Sequence, residues 1–167
     1  MKKTLIGLLM TLAFVGCSGK DNASQTIEPK LVLEKSIAGL SFNDQFEKAH
    51  TISTDTKTLI FAFSKDVGHT CNDFFATKSD TYLDDHKAMF VADVSSAPSV
   101  IRSMFIMPGL KDFKHTVLVI DDETIANNYK AGLDAQKIIV VSINNNIITS
   151  IEKVTTPEEL ARKIEAH

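Results

Sequence analysis

Cysteine is nearly absent: the 167 residues hold two, Cys17 and Cys71. One disulfide is the most such a chain can make, and there is no closely spaced cysteine pair to begin a structural zinc site. Basic clusters are missing as well. Lys and Arg total 18 against 21 Asp and Glu, and only Arg102 and Arg162 are arginines, so nothing supplies the basic surface that nucleic acid demands. No apolar run approaches the roughly 20 helical residues needed to cross about 30 Å of hydrocarbon. Neither a glycine-rich phosphate loop nor a Ser/His/Asp pattern is present.

What is there begins with a short positive segment, Lys2-Lys3, and an uncharged apolar stretch, Leu5 to Val15, broken only by Gly7 and Thr11. Too short to span, this stretch reads as the core of a secretion signal. It runs into Phe14-Val15-Gly16-Cys17 and then the polar run Ser18-Gly19-Lys20-Asp21-Asn22. That order resembles the lipobox of bacterial lipoproteins, with Phe14 where those proteins usually carry Leu. The resemblance implies cleavage after residue 16 and a lipid, diacylglycerol with palmitate-type chains, on Cys17. Residues 17–30, polar and carrying Pro29, then form a flexible tether, and 31–167 the folded domain. Losing Lys2 and Lys3 moves the formal net charge from −3 to −5 and leaves 151 residues, enough for one real core. The implied partner is a membrane, reached through acyl chains, on the periplasmic or outer side of a cell envelope. Cys71 is then the only thiol left in a compartment that permits disulfides.

Beyond the tether, strand and helix patterns alternate. Ser41 to Ile52 has the form of two short strands around a polar turn near Glu47-Lys48. Thr58–Phe63, Ala88–Val94 and Thr116–Ile120 are apolar, β-branched or aromatic runs that predict buried central strands. Asn72 to His86 spaces its apolar residues for a helix, and Ser99 to Met107 predicts a short one closed by Pro108-Gly109. Lys137–Ile143 and Ile147–Val154 flank Asn144-Asn145-Asn146, a hairpin turn. Thr156-Pro157-Glu158-Glu159 has the residues of a helix start: a cap, a proline at the first position and early acids. The sum is an α/β sandwich, a central mixed sheet with helices on both faces and an N-terminal β-hairpin.

This order resembles the thioredoxin-like fold over about residues 36–165, in particular its peroxiredoxin and membrane-tethered envelope branch. Leu59-Ile60-Phe61-Ala62-Phe63 resembles the first core strand, leading into an active-site loop from Ser64 to Cys71. Thioredoxins carry Cys-x-x-Cys where that loop meets the next helix; the tetrad here is Gly68-His69-Thr70-Cys71. The attacking position is therefore glycine, and one molecule cannot exchange dithiols. Peroxiredoxins place a threonine three residues before the reactive cysteine and a proline four before that, where this chain has Gly68 and Ser64. The groove proline that precedes the fourth core strand is replaced by His115, before Thr116. The resemblance further implies that the third run, Thr116–Ile120, lies antiparallel to the first two.

Cys71, placed at a helix start beside His69, is the candidate reactive thiol, because unpaired amides and a charged imidazole stabilise thiolate. The alternative is a small buried hydrophobe. His69, Cys71 and His115 would together suit zinc or copper if they met, though nothing in the sequence requires a metal or any other cofactor. Arg102 is placed to pair with Asp93 or bind an anion. Two functions follow. One is a degenerate domain that binds or assembles an envelope protein without catalysis; the other is a monothiol redox protein using Cys71 for thiol-disulfide exchange or peroxide chemistry.

Overall fold

A computed structural model describes residues 27–166. The signal segment, Cys17 and most of the expected tether lie outside the described residues. Seven strands form one sheet: β1 (Ser41–Asp44), β2 (Ala49–Thr51), β3 (Thr58–Ala62), β4 (Ala88–Asp93), β5 (Leu118–Ile120), β6 (Ile138–Asn144) and β7 (Ile147–Val154). Their spatial order is β2-β1-β5-β4-β3-β6-β7. β3 is central because all five of its residues are buried, and its side chains serve two cores by simple alternation. Ile60 and Ala62 face one helical layer, while Leu59 and Phe61 face the other.

The first layer holds α1 (Lys65–Ala76), α2 (Tyr82–Asp85) and α6 (Pro157–Ile164). It also holds a composite helix of α3 (Ser99–Ile101), a π-helical turn (Arg102–Ile106) and α4 (Met107–Lys111). The second holds α5 (Glu123–Lys130) and the segment from Leu31 to Ile37. The chain is already pinned at Glu28 and Lys30, whose amides bond Asn128 on α5, so ordered contact starts just inside the expected tether.

Both hairpins form as expected. Asn145 and Asn146 turn β6 into β7 with φ of 49° and 61°, the left-handed pair that a two-residue turn needs. In the first hairpin Asp44 Oδ1 accepts from the amides of Phe46 and Lys48. Thr156 caps α6 by accepting from the Glu159 amide, with Pro157 in the first turn.

Three expectations are overturned. β5 runs parallel to β4, not antiparallel, because the crossover through the composite helix returns the chain in its original direction, as the α1 crossover does. The antiparallel core strand is β6, paired to β3. The helix expected over residues 72–86 instead starts at Lys65, where Ser64 accepts from the Val67 amide and Asp66 lies in the first turn, and a break at Thr77 separates it from α2. Finally, the composite helix does not stop at Pro108-Gly109. A wide turn, with the Met107 amide bonded to the Arg102 carbonyl, precedes the proline and gives its ring room, so the helix runs on to Lys111.

Candidate functional site

The early start of α1 moves Cys71 from a helix terminus to the middle of a helix. Val67, Cys71, Phe74 and Phe75 are spaced i, i+4, i+7, i+8 and form the stripe that faces the sheet. The thiol is 0% exposed, and burial pushes it up to about 12. His69 stands two positions away, roughly 200° around a helix, and is exposed, so its imidazole does not share the thiol's surroundings.

The residues that open α1 are Lys65, Asp66, Val67 and Gly68, none a cysteine. They meet the chain entering β6 across a groove of about 150 Å³, lined by Asp66, Val67, Thr70, Gln136, Lys137 and Thr155. This is the C-terminal end of β3 and β4. Because β6 is the antiparallel strand, the segment that matches the family's groove proline is Ala135-Gln136-Lys137, and it too has no proline.

His115 and Thr116, expected in that groove, lie at the opposite end of the sheet, where β5 begins. Thr116 is exposed. His115 is 4% exposed and packs against Phe75, Phe90 and Phe113, with ring centroids 5.2, 6.2 and 5.2 Å away. Its Nε2 lies 2.9 Å from Asn72 Oδ1, so Nε2 carries the proton and donates. Its Nδ1 has no hydrogen-bond partner. Burial, and secondarily the charge of Lys114, lowers this imidazole to about 4. Gln45, 2% exposed, completes the cluster: its Nε2 donates to the His115 carbonyl and its Oε1 accepts from the Val117 amide. The first hairpin is thus stapled to β5 by one amide side chain.

Beside this cluster His50 Nε2 lies 2.7 Å from Asp44 Oδ2. Burial alone would raise the Asp44 carboxyl; the His50 contact and two backbone amides outweigh it and leave the group below its ordinary range. A cavity of about 260 Å³ opens here between Lys48, His50, Asp84 and His115. Neither Gln45 nor Asn72 was marked by the sequence, since a lone amide residue carries no spacing signal.

His69, Cys71 and His115 are not brought together, and among the described residues no group of three His, Cys, Asp or Glu could hold a metal ion. Arg102 does not pair with Asp93. Its Nη1 donates to the carbonyls of Ser95 and Ala97, while Asp93 meets Lys130 at 3.5 Å.

No family model matches the chain, and no curated protein matches its sequence. Solved structures do. The exposed lipoprotein thioredoxin of Streptococcus pneumoniae is similar with a TM-score of 0.54 at 10% identity, over 78% of this chain and 100% of that one. The thioredoxin domain of a thiol-disulfide oxidoreductase from Bacteroides vulgatus gives 0.51 at 10% identity, over 81% and 97%. A peroxiredoxin-like protein from Aquifex aeolicus gives 0.50 at 11%, over 84% and 90%. Likeness at such identities speaks for architecture alone, and that architecture, seven mixed strands between two helical layers with an added N-terminal hairpin, is the thioredoxin-like fold.

Proposed function

We propose that this chain is an envelope lipoprotein, anchored through Cys17, whose thioredoxin-like domain binds or helps assemble a partner protein without dithiol chemistry. The observation that carries the reading is the state of Cys71. A thiol near 12 is thiolate in only on the order of one molecule in 10⁵ at neutral pH, and one with no exposed surface meets no disulfide or peroxide. That weighs against the monothiol alternative. The groove at the start of α1 keeps polar, hydrogen-bonding side chains, suited to holding a peptide segment rather than exchanging a disulfide with it. The anchor is supported by the order of charge, apolar stretch, small residue and cysteine at the N-terminus.

Alkylation of the native protein with iodoacetamide tests the reading. Cys71 should react only as fast as the domain opens, with no plateau near neutral pH, and His69→Ala should leave that rate unchanged. A thiol that is modified fully at pH 7 without unfolding, and slowed by His69→Ala, would restore the redox reading and remove this one.

A further inference from the structure

Between β1, β5 and α5 lies a cavity of about 360 Å³, apart from both the start of α1 and the hairpin junction. It sits beside Asp121 at the carboxyl end of β5, and that end of an open α/β sheet is where ligands are usually held. Its volume falls in the range of small-molecule sites, roughly 300–1,000 Å³. Tyr129 is its fixed point. This residue is 5% exposed, with its ring stacked on Phe61 and tilted against Phe42, centroids 5.7 and 5.4 Å away. No described residue bonds its hydroxyl, which is not sealed in either and so opens into the cavity. Burial raises this phenol above its ordinary range, so it stays protonated and donates.

Around Tyr129 the bonding capacity is mixed. Asn128 Oδ1 accepts from the Glu28 amide and Asp122 Oδ1 from the Ile125 amide, which leaves Asn128 Nδ2 as a donor and Asp122 Oδ2 as an acceptor. The Asn43 amide side chain and the Asp121 carboxylate have no partner among the described residues. Lys30, the cation of the lining, is already paired with Glu28 at 3.4 Å.

We propose that this cavity binds a neutral saccharide unit, whose hydroxyls bond Tyr129, Asn128, Asn43 and Asp121. A sugar hydroxyl donates and accepts at once, which is what interleaved donors and acceptors ask for. Two carboxylates beside a cation that is already paired turn an anion away. A metal ion is not served either, since no three acids, histidines or cysteines converge among the described residues. The apolar face of a sugar ring meets Ile125, which is 49% exposed beside the cavity. Because the Tyr129 ring is packed on two phenylalanines, its hydroxyl is held in place before a ligand arrives, which lowers the cost of binding. The site is separate from the groove at the start of α1, so either reading stands without the other.

Amide NMR of the isotopically labelled full-length protein, titrated with D-glucose, D-galactose, D-mannose and N-acetyl-D-glucosamine, tests this. At millimolar concentration at least one sugar should shift the Asn43, Asp121 and Asn128 resonances saturably. Its methyl glycoside separates the sources: equal binding points to a sugar within a glycan, and loss of binding to a free reducing sugar. Tyr129→Phe keeps the ring packing and removes one hydroxyl, so Kd should rise about fivefold, and Asp121→Ala, at an exposed position, should raise it about tenfold. Matching melting curves confirm that both variants fold. A panel that gives no saturable shift at these residues overturns the proposal. So does a Kd unchanged in both variants, which would put the sugar elsewhere. Saturable shifts with methylammonium or acetate but with no sugar would make the cavity an ion site and overturn it too. Sugar binding that appears only after residues 18–26 are deleted would assign the cavity to the chain's own N-terminal segment and overturn it as well.

Discussion

The two ends of the sheet differ in how they treat polar groups. At the end where α1 begins, Asp66, Thr70, Gln136 and Lys137 border open solvent, and no polar side chain of the groove is fully buried. At the other end His115, Asn72 and Gln45 are sealed inside and, except for His115 Nδ1, bonded to one another or to backbone. The fold's usual reaction end is the one made loosely here, while the end that joins the added hairpin to the core is the one made closely. Buried polar groups tolerate few alternatives, because each orphaned partner costs free energy. The hairpin junction is therefore where this chain specifies its structure.

The sharpest way to break that contrast is His115→Ala. It removes a ring packed among three phenylalanines and leaves Asn72 Oδ1 without its donor. Urea unfolding should show a loss of about 3–4 kcal/mol, the sum of a cavity and an unsatisfied buried amide. A loss below about 1 kcal/mol would mean the junction is not a point of specification.

Acid should act on the same residue with a slightly smaller effect. The folded imidazole sits near 4, below the ordinary 6.5, so between those values the unfolded chain holds a proton that the folded chain does not. Stability should be full above pH 6.5 and fall as the pH drops toward 4, by at most about 3 kcal/mol. Asp44, also held low, adds loss in the same direction only below its ordinary 3.8. Unfolding free energies measured from pH 7 to 4 should show the slope in the parent and lack the His115 share of it in His115→Ala. An unchanged slope would assign the acid sensitivity elsewhere.

The strands themselves and the hairpins were legible because they rest on local chemistry. The β-branched runs of β3 and β4, the Asn145-Asn146 turn and the Thr156 cap each act within a few residues. The site is displaced because the resemblance puts a loop over Ser64–Cys71, whereas Ser64 caps a helix that starts at Lys65 with Asp66 in its first turn. Counting from that cap puts Cys71 on the same stripe as Val67, Phe74 and Phe75, which is the core reading. The direction of β5 is not written in residues 116–120 at all; it follows from the crossover. The Gln45 staple joins residues about 70 apart in sequence, and nothing local announces such a pair.

The smallest effect tests the other half of the contrast. Lys137 borders the groove, its backbone amide bonds Asp134, and its ammonium forms no ion pair within 4 Å among the described residues. Lys137→Ala deletes a half-exposed chain and leaves every buried group as it was, so stability should move by less than about 0.5 kcal/mol. Paired with His115→Ala under the same urea titration, it gives a difference of about 3 kcal/mol between the two ends. A Lys137→Ala loss as large as that of His115→Ala would mean the groove end is as tightly specified as the junction. Because the substitution spares the fold, it also isolates the groove: weaker capture of a partner by Lys137→Ala, at unchanged stability, would place binding at the start of α1.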